Sequence, residues 1–191
     1  MIVKSEVLIG ELSAITKKNT NLARALKSKS DEELNWRTNN KSWSILECLE
    51  HLNLYGDFYI PEIERTIQKA GSKSDVLFKS GLLGNYFAES MLPKEKLNKM
   101  KTFKEKDPLG SNLDRGTIDR FIDQQDMMLK LLEQSRKISL NKEKTQITLT
   151  KWIKLKIGDT FRFVINHNIR HLKQIEKITA AQENKSINHT L

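Results

Sequence analysis

Two histidines near the end of the sequence have the spacing of a metal-binding pair. His167 and His171 are four residues apart, so on a helix both imidazoles leave the same side, one turn apart. At that separation two ring nitrogens can converge at about 2.0–2.1 Å from a zinc-sized ion. Two polar residues at the margin of a buried helix face would show the same spacing. A third ligand is therefore needed to distinguish a metal site from ordinary packing.

His51 is the candidate for that third ligand. Ser44 and Glu47 form a capping-box pattern that predicts the start of a helix, and His51 lies two turns beyond it, on the inward half. If this helix packs beside the one that carries His167 and His171, all three imidazoles could bind one ion. Three protein ligands leave a position open for water or substrate, which is typical of catalytic zinc. Imidazole ligands favour zinc, nickel, copper or iron over magnesium or calcium.

Four further side chains are expected near these histidines. Glu47 precedes His51 by one turn and could orient its ring, although the capping box would also occupy it. Cys48 is predicted to be a small buried residue rather than a nucleophile. Tyr55 is either a core aromatic or a proton donor, and Gln174 either bonds a metal ligand or stabilises the bundle edge. No general base stands out, so the catalytic residues stay unassigned.

Four amphipathic helices are predicted to position these side chains, because apolar residues recur at intervals of three and four. They cover approximately residues 5–27, 44–71, 117–134 and 158–180. Pro61 should kink the second helix, since it removes a backbone donor. Residues 28–43, 72–116 and 140–157 are predicted to be connections, with a short helix inside 77–91. Three apolar residues of the last connection could pack across a bundle end, although periodicity does not decide this: Ile147, Leu149 and Trp152.

The predicted fold is therefore an all-α four-helix bundle formed by residues 1–182. Residues 183–191 are predicted to be a polar, fraying tail, and His189 within it is expected to play no part in the site. The chain has 191 residues, three prolines and eight glycines, which suits a single domain of long helices.

Composition also bears on the compartment. Cys48 is the one cysteine, so no internal disulfide can form, as suits a reducing cytoplasm. No apolar run approaches the roughly 18 residues that a membrane span needs, and charged residues interrupt the N-terminus where a signal peptide would be apolar. We therefore expect a cytoplasmic protein with no membrane partner.

The net charge of +9 raises the question of nucleic-acid binding. The lysines are spread along the chain, and acidic residues interrupt the densest group of them, which contains a single aromatic residue. That group comprises Lys94, Lys96, Lys99, Lys101, Lys104 and Lys106. We expect a solvated basic surface with no specific nucleic-acid partner.

Taken together, these motifs resemble the DinB/YfiT-like superfamily, whose members are bacterial four-helix bundles. The residues that carry the resemblance are Trp43, Ser44, His51, His167, His171 and Gln174. It implies one divalent metal held by His51, His167 and His171, with zinc or nickel expected first and iron or manganese as alternatives. It also implies an up-down-down-up bundle with a long crossover between helices two and three.

The resemblance narrows the function only in part, because one fold can support several chemistries. Some superfamily members join a low-molecular-weight thiol to an electrophile, others are thiol-using isomerases, and many have no known activity. Thiol transfer to a small-molecule substrate is the first hypothesis, with the thiol as co-substrate. The alternatives are a metal-dependent hydrolase and a non-catalytic metal- or small-molecule-binding stress protein. The resemblance also suggests a homodimer.

Overall fold

Four long helices make up most of the molecule in a computed structural model that describes residues 1–93, 102–148 and 150–189. They are α1 (Ser5–Ala25), α3 (Ile45–Gln68), α5 (Gly116–Gln134) and α6 (Ile157–His189). Two shorter helices, α2 (Asp31–Asn35) and α4 (Leu82–Ser90), lie between them. The prediction of a mostly helical fold is confirmed.

The long helices pack around two groups of buried apolar side chains. α1 and α3 each contact both α5 and α6. The first cluster joins the N-terminal half of α1 to the C-terminal half of α3 and includes Leu8, Leu12, Ile63, Met128 and Phe161. The second joins the opposite halves of the same two helices and includes Ala23, Leu49, Ile118, Leu172 and Ile175. On α6, His167 and His171 fall between the residues of the first cluster and those of the second, and on α3 His51 lies near the end of the second cluster, between Leu49 and Leu52.

The predicted start of α3 is confirmed in atomic detail. The hydroxyl of Ser44 accepts a hydrogen bond from the Glu47 amide at 3.2 Å. In return the Glu47 carboxylate accepts one from the Ser44 amide at 2.8 Å. This reciprocal pair satisfies two amides that the first turn leaves without helical partners. The helix continues through Pro61 to Gln68.

Two small antiparallel strand pairs correct the predicted connections. β1 (Ile2–Lys4) pairs with β2 (Leu77–Lys79), and β3 (Lys144–Ile147) pairs with β4 (Thr150–Lys156). The interpretation of residues 140–157 as a polar connection was therefore wrong. Exposed and buried side chains alternate along β3, as expected for a strand with one inward face. Thr145 on this strand is paired with Leu155 of β4, and both side chains are buried.

The three apolar residues that could pack across a bundle end behave differently from one another. Ile147 is buried, with 5% of its surface exposed, whereas Trp152 is 93% exposed. Trp152 is therefore not part of the core, which decides for this residue what periodicity had left open. Leu149 lies outside the described residues, as do four lysines of the basic group: Lys94, Lys96, Lys99 and Lys101.

Helical structure occurs in two places where none was predicted. α2 lies inside the predicted connection 28–43, where Ser30 and Glu33 form a second capping box. α6 runs to His189, past the predicted end near residue 180. Across the described ranges, no helix combines the length and the apolar character needed to span a bilayer.

Candidate metal centre

The structure brings the three predicted histidines together in the interior. His51 comes from α3, and His167 and His171 come from successive turns of α6. Their exposed fractions are 3%, 6% and 8%. The Nε2 atom of His167 lies 3.2 Å from that of His51 and 3.1 Å from that of His171. One potential ligand atom from each ring therefore converges on a common point.

These separations agree with the dimensions of a metal site. Two nitrogens held at about 2.05 Å from one ion, with a tetrahedral angle between them, lie about 3.3 Å apart. The observed Nε2 separations of 3.1 and 3.2 Å are close to this value. The positions of the rings thus suit an ion of zinc size without a large rearrangement of either helix.

The outer nitrogens of two rings fix where their protons lie. Nδ1 of His51 is 2.7 Å from the carbonyl oxygen of Lys106, and Nδ1 of His171 is 3.1 Å from Oε1 of Gln174. A carbonyl oxygen only accepts hydrogen bonds, so each Nδ1 is the donor. A neutral imidazole protonated at Nδ1 carries a lone pair at Nε2. The Nε2 atoms of His51 and His171 therefore present lone pairs toward His167.

This arrangement leaves one contact unsatisfied when the rings are neutral. His167 can carry a single proton at Nε2, and it can donate that proton to one neighbour at a time. The other short Nε2 contact then has no hydrogen between its two nitrogens, so the lone pair of that neighbour is left without a donor. A cation at the centre would accept all three lone pairs. The donor set therefore fits a metal ion, with the Lys106 carbonyl and Gln174 in supporting positions.

Burial keeps these imidazoles neutral at ordinary pH. It lowers the pKa of His51 to about 4, against a smaller opposing effect of the hydrogen bond to Lys106. Burial and the neighbouring His51 lower the pKa of His171 to about 3. For His167, burial and both neighbouring imidazoles hold the pKa well below its ordinary value. A metal binds the neutral ring, so the site is in the ligating form at pH 7.

Two aromatic residues enclose the histidines. The Trp43 ring lies 4.7 Å from that of His51 and 5.6 Å from that of His171, between centroids. The Tyr55 ring lies 4.6 Å from that of His167 and 5.0 Å from that of His51. Burial raises the pKa of the Tyr55 hydroxyl to about 12, so this group keeps its proton at neutral pH. An apolar shell of this kind limits the access of water to a site.

The carboxylate of Glu47 accepts hydrogen bonds from residues near the site. It receives two hydrogen bonds from Arg37, at 2.6 and 2.8 Å, and one from the Gly110 amide at 2.5 Å. Burial opposes ionisation of Glu47, but these bonds and the Ser44 amide together lower its pKa below the ordinary value. Among the described residues, none of its hydrogen bonds reaches His51. The capping interpretation is the one that this geometry supports.

Two further predictions can be compared with the structure. Cys48 is completely buried, as predicted, and burial raises the pKa of its thiol, so it is unsuited to act as a nucleophile. Gln174 bonds the ring of His171, which orients a predicted ligand. Sequence reasoning missed Lys106, whose contribution is a backbone carbonyl, and Arg37, which has no motif to mark it.

The fold and the histidine cluster together define a mostly helical protein that could bind a metal ion at its centre. The family model of the DinB superfamily matches residues 14–175. The chain belongs to the DinB superfamily, as the sequence motifs indicated. Comparison with curated proteins and with solved structures gave no significant match.

Proposed function

We propose that the protein holds one divalent transition metal through His51, His167 and His171, and that it transfers a low-molecular-weight thiol to an electrophilic small molecule. The convergence of three Nε2 atoms, with two lone pairs facing the third ring, carries the metal half of this proposal. The thiol half rests on the likeness of the sequence to thiol-using members of the superfamily. Zinc or nickel is proposed first, with iron or manganese as alternatives.

A bound metal would supply positive charge that favours thiolate over thiol at neutral pH. The residues of the chain do the rest. The Lys106 carbonyl and Gln174 hold two of the rings in the ligating tautomer, while Trp43 and Tyr55 limit the access of water. The thiol loses its proton to solvent, and its sulfur bonds to the electrophilic carbon. With a haloarene the halide leaves with the bonding electrons, and with an epoxide the ring oxygen opens and takes up a proton.

The wider architecture belongs to the same proposal. The two apolar clusters group the N-terminal halves of α1 and α6 with the C-terminal halves of α3 and α5. This grouping supports an up-down-down-up bundle with a long crossover between α3 and α5. We also keep the division at residue 182 and a homodimeric assembly as proposals.

A panel of bacterial thiols tests the chemistry. The metal-loaded protein is mixed with each thiol and a chromogenic haloarene or an epoxide, and loss of the electrophile is followed against a protein-free blank. We expect acceleration with at least one thiol, dependence on added metal, and loss of the acceleration in His51→Ala, because two imidazoles hold a metal far more weakly than three.

His189→Ala is the matched control, since His189 lies about 27 Å further along α6 than His171 at 1.5 Å per residue. It should retain full activity. If no thiol reacts above the blank while metal-loaded protein hydrolyses an ester or amide in a histidine-dependent way, thiol transfer is refuted and a hydrolase replaces it. If neither reaction occurs with the metal in place, the catalytic proposal is wrong and a binding protein remains.

A further inference from the structure

A short segment between α4 and α5 is fastened across the histidine cluster. This segment, Lys104–Gly110, begins with a single turn of 3-10 helix at Lys104–Lys106, and we refer to it as the strap. Its backbone carbonyl at Lys106 accepts the hydrogen bond from Nδ1 of His51 at 2.7 Å. The strap therefore touches a candidate metal ligand directly, although no side chain of the strap does so.

A chain of contacts holds this carbonyl in place. Oδ1 of Asp107 accepts a hydrogen bond from the indole Nε1 of Trp43 at 3.0 Å and another from the Leu109 amide at 3.1 Å. The Lys106 ammonium donates to the Leu54 carbonyl at 2.7 Å, on the same helix as His51. The strap is thus attached to α3 through the Lys106 side chain and to Trp43 through the next residue, Asp107.

The far end of the strap has its own attachment. The Ser111 amide bonds the Pro108 carbonyl at 2.9 Å, which closes a four-residue turn with Gly110 at its third position. Gly110 has a φ of 81°, a conformation that glycine adopts at this position of a type II turn and other residues resist. The turn aims the Gly110 amide at the buried carboxylate of Glu47. The strap therefore ends on the cap of the helix that carries His51.

Trp43 links the strap to two ligands at once. Its ring packs against those of both His51 and His171, while its N–H is bonded to Asp107. Rotation of the indole would disturb both rings, and loss of the Asp107 bond would free that rotation. Asp107 has no hydrogen bond to a histidine within the described ranges, and its position is in this way connected to the geometry of the cluster through Trp43.

We infer that the strap is a positioning element for the metal centre and that Asp107 is its key side chain, acting through Trp43 and the Lys106 carbonyl. This inference rests on the proposed metal binding. The Lys106 carbonyl fixes the His51 tautomer that leaves Nε2 unprotonated. Asp107 holds both that carbonyl and the Trp43 indole in position. The contacts of the strap thereby set the affinity for metal, as hydrogen-bonded partners of ligands do in other metal sites.

The first test measures Zn²⁺ affinity by competition with a chromogenic chelator, well below the melting temperature of each variant. Asp107→Ala should weaken Zn²⁺ binding about 10-fold, the lower end of the range for loss of an outer hydrogen bond. Asp107→Asn keeps an oxygen acceptor for both donors, so it should change the affinity less than about 2-fold. Lys104→Ala alters an exposed strap residue and should have no effect.

Trp43→Phe separates positioning from general loosening, because it deletes the indole N–H and keeps a ring against the histidines. It should weaken Zn²⁺ binding by a similar factor. The double variant Trp43→Phe with Asp107→Ala should bind Zn²⁺ no more weakly than Asp107→Ala alone, since the bond that Trp43→Phe deletes is already lost in Asp107→Ala. Multiplied losses, of about 100-fold, would show that the two residues act independently and would overturn the inference.

The second readout needs no metal. Long-range ¹H–¹⁵N NMR on the apo protein reports which nitrogen of His51 carries the proton. The wild type and Asp107→Asn should show the Nδ1–H form, and Asp107→Ala should show a mixture of tautomers. If Asp107→Ala changes neither the His51 tautomer nor the Zn²⁺ affinity, the inference that the strap positions the metal centre is wrong. A wild type that binds none of Zn²⁺, Ni²⁺, Fe²⁺ and Mn²⁺ overturns the proposed function instead. The tautomer of His51 in Asp107→Ala then tests by itself whether the strap positions that ring.

Discussion

Acid should destabilise the metal-free protein well above the pH range in which carboxylates are protonated. The three histidines of the cluster are neutral and buried when folded, and an unfolded histidine has a pKa near 6.5. Between these values the unfolded chain binds more protons than the folded one, so the free energy of unfolding falls as pH falls. The loss begins near pH 6.5 and continues to about pH 4 for His51 and about pH 3 for His171.

The size of the effect between pH 7 and pH 5 follows from the same pKa values. For a histidine whose pKa drops from about 6.5 to about 4, the free energy of unfolding should fall by about 2 kcal/mol over this interval. A folded pKa of about 3 gives almost the same figure, because the folded ring is already neutral at pH 5. Three independent histidines would together contribute about 6 kcal/mol, a large share of the 5–15 kcal/mol typical of a domain.

Urea denaturation with a chelator present, at pH 7, 6 and 5, measures this loss. The pKa of Glu47 is lowered, so its contribution is lost as the pH falls below its ordinary range, outside the interval. His167→Gln, which cannot titrate, should reduce the loss by about a third, or about 2 kcal/mol. Equal free energies of unfolding at pH 7 and pH 5 would refute the closed, neutral cluster.

Three further predictions concern the fold and the surface. Arg37→Met should lower the free energy of unfolding by about 2 kcal/mol in urea titrations, because the buried carboxylate of Glu47 loses two charged hydrogen bonds; unchanged stability would contradict this. Gly158→Ala should lower the free energy of unfolding by about 1–3 kcal/mol, since its Cβ would meet the buried Phe78 ring at 2.5 Å. Gly10→Ala, with open space around it, should instead stabilise α1 by about 0.5–1 kcal/mol. Equal melting temperatures for the two variants would argue against this packing. DNA binding, followed by fluorescence anisotropy, should be weak and should fade steeply with salt, and tight binding at physiological salt would revive a nucleic-acid function.

The parts of the site that the sequence predicts are those encoded locally. The capping box depends on two side chains three residues apart, and the pairing of His167 with His171 depends on one turn of helix. Both appear in the structure as predicted. The joining of His51 to that pair needed a tertiary contact between α3 and α6, and the family motif supplied what periodicity alone left open.

The parts that the sequence did not predict depend on distant or backbone interactions. Every residue has a carbonyl, so nothing in the sequence distinguishes that of Lys106. Arg37 reaches Glu47 from an irregular segment, where no periodicity fixes the direction of a side chain. The β3–β4 hairpin was missed because β3 has only four residues and the exposed face of the hairpin is rich in lysine, with Trp152 outside the core.

Metal content measured directly tests the central claim, that three histidines hold one ion. Protein purified without chelator from metal-supplemented medium is analysed by mass spectrometry of the elements, beside His51→Ala and His189→Ala prepared in the same way. The wild type and His189→Ala should each carry close to one transition-metal ion per chain, and His51→Ala should carry almost none. Full occupancy in His51→Ala, or a wild type that stays empty after loading, would contradict the assignment of His51, His167 and His171 as the metal ligands.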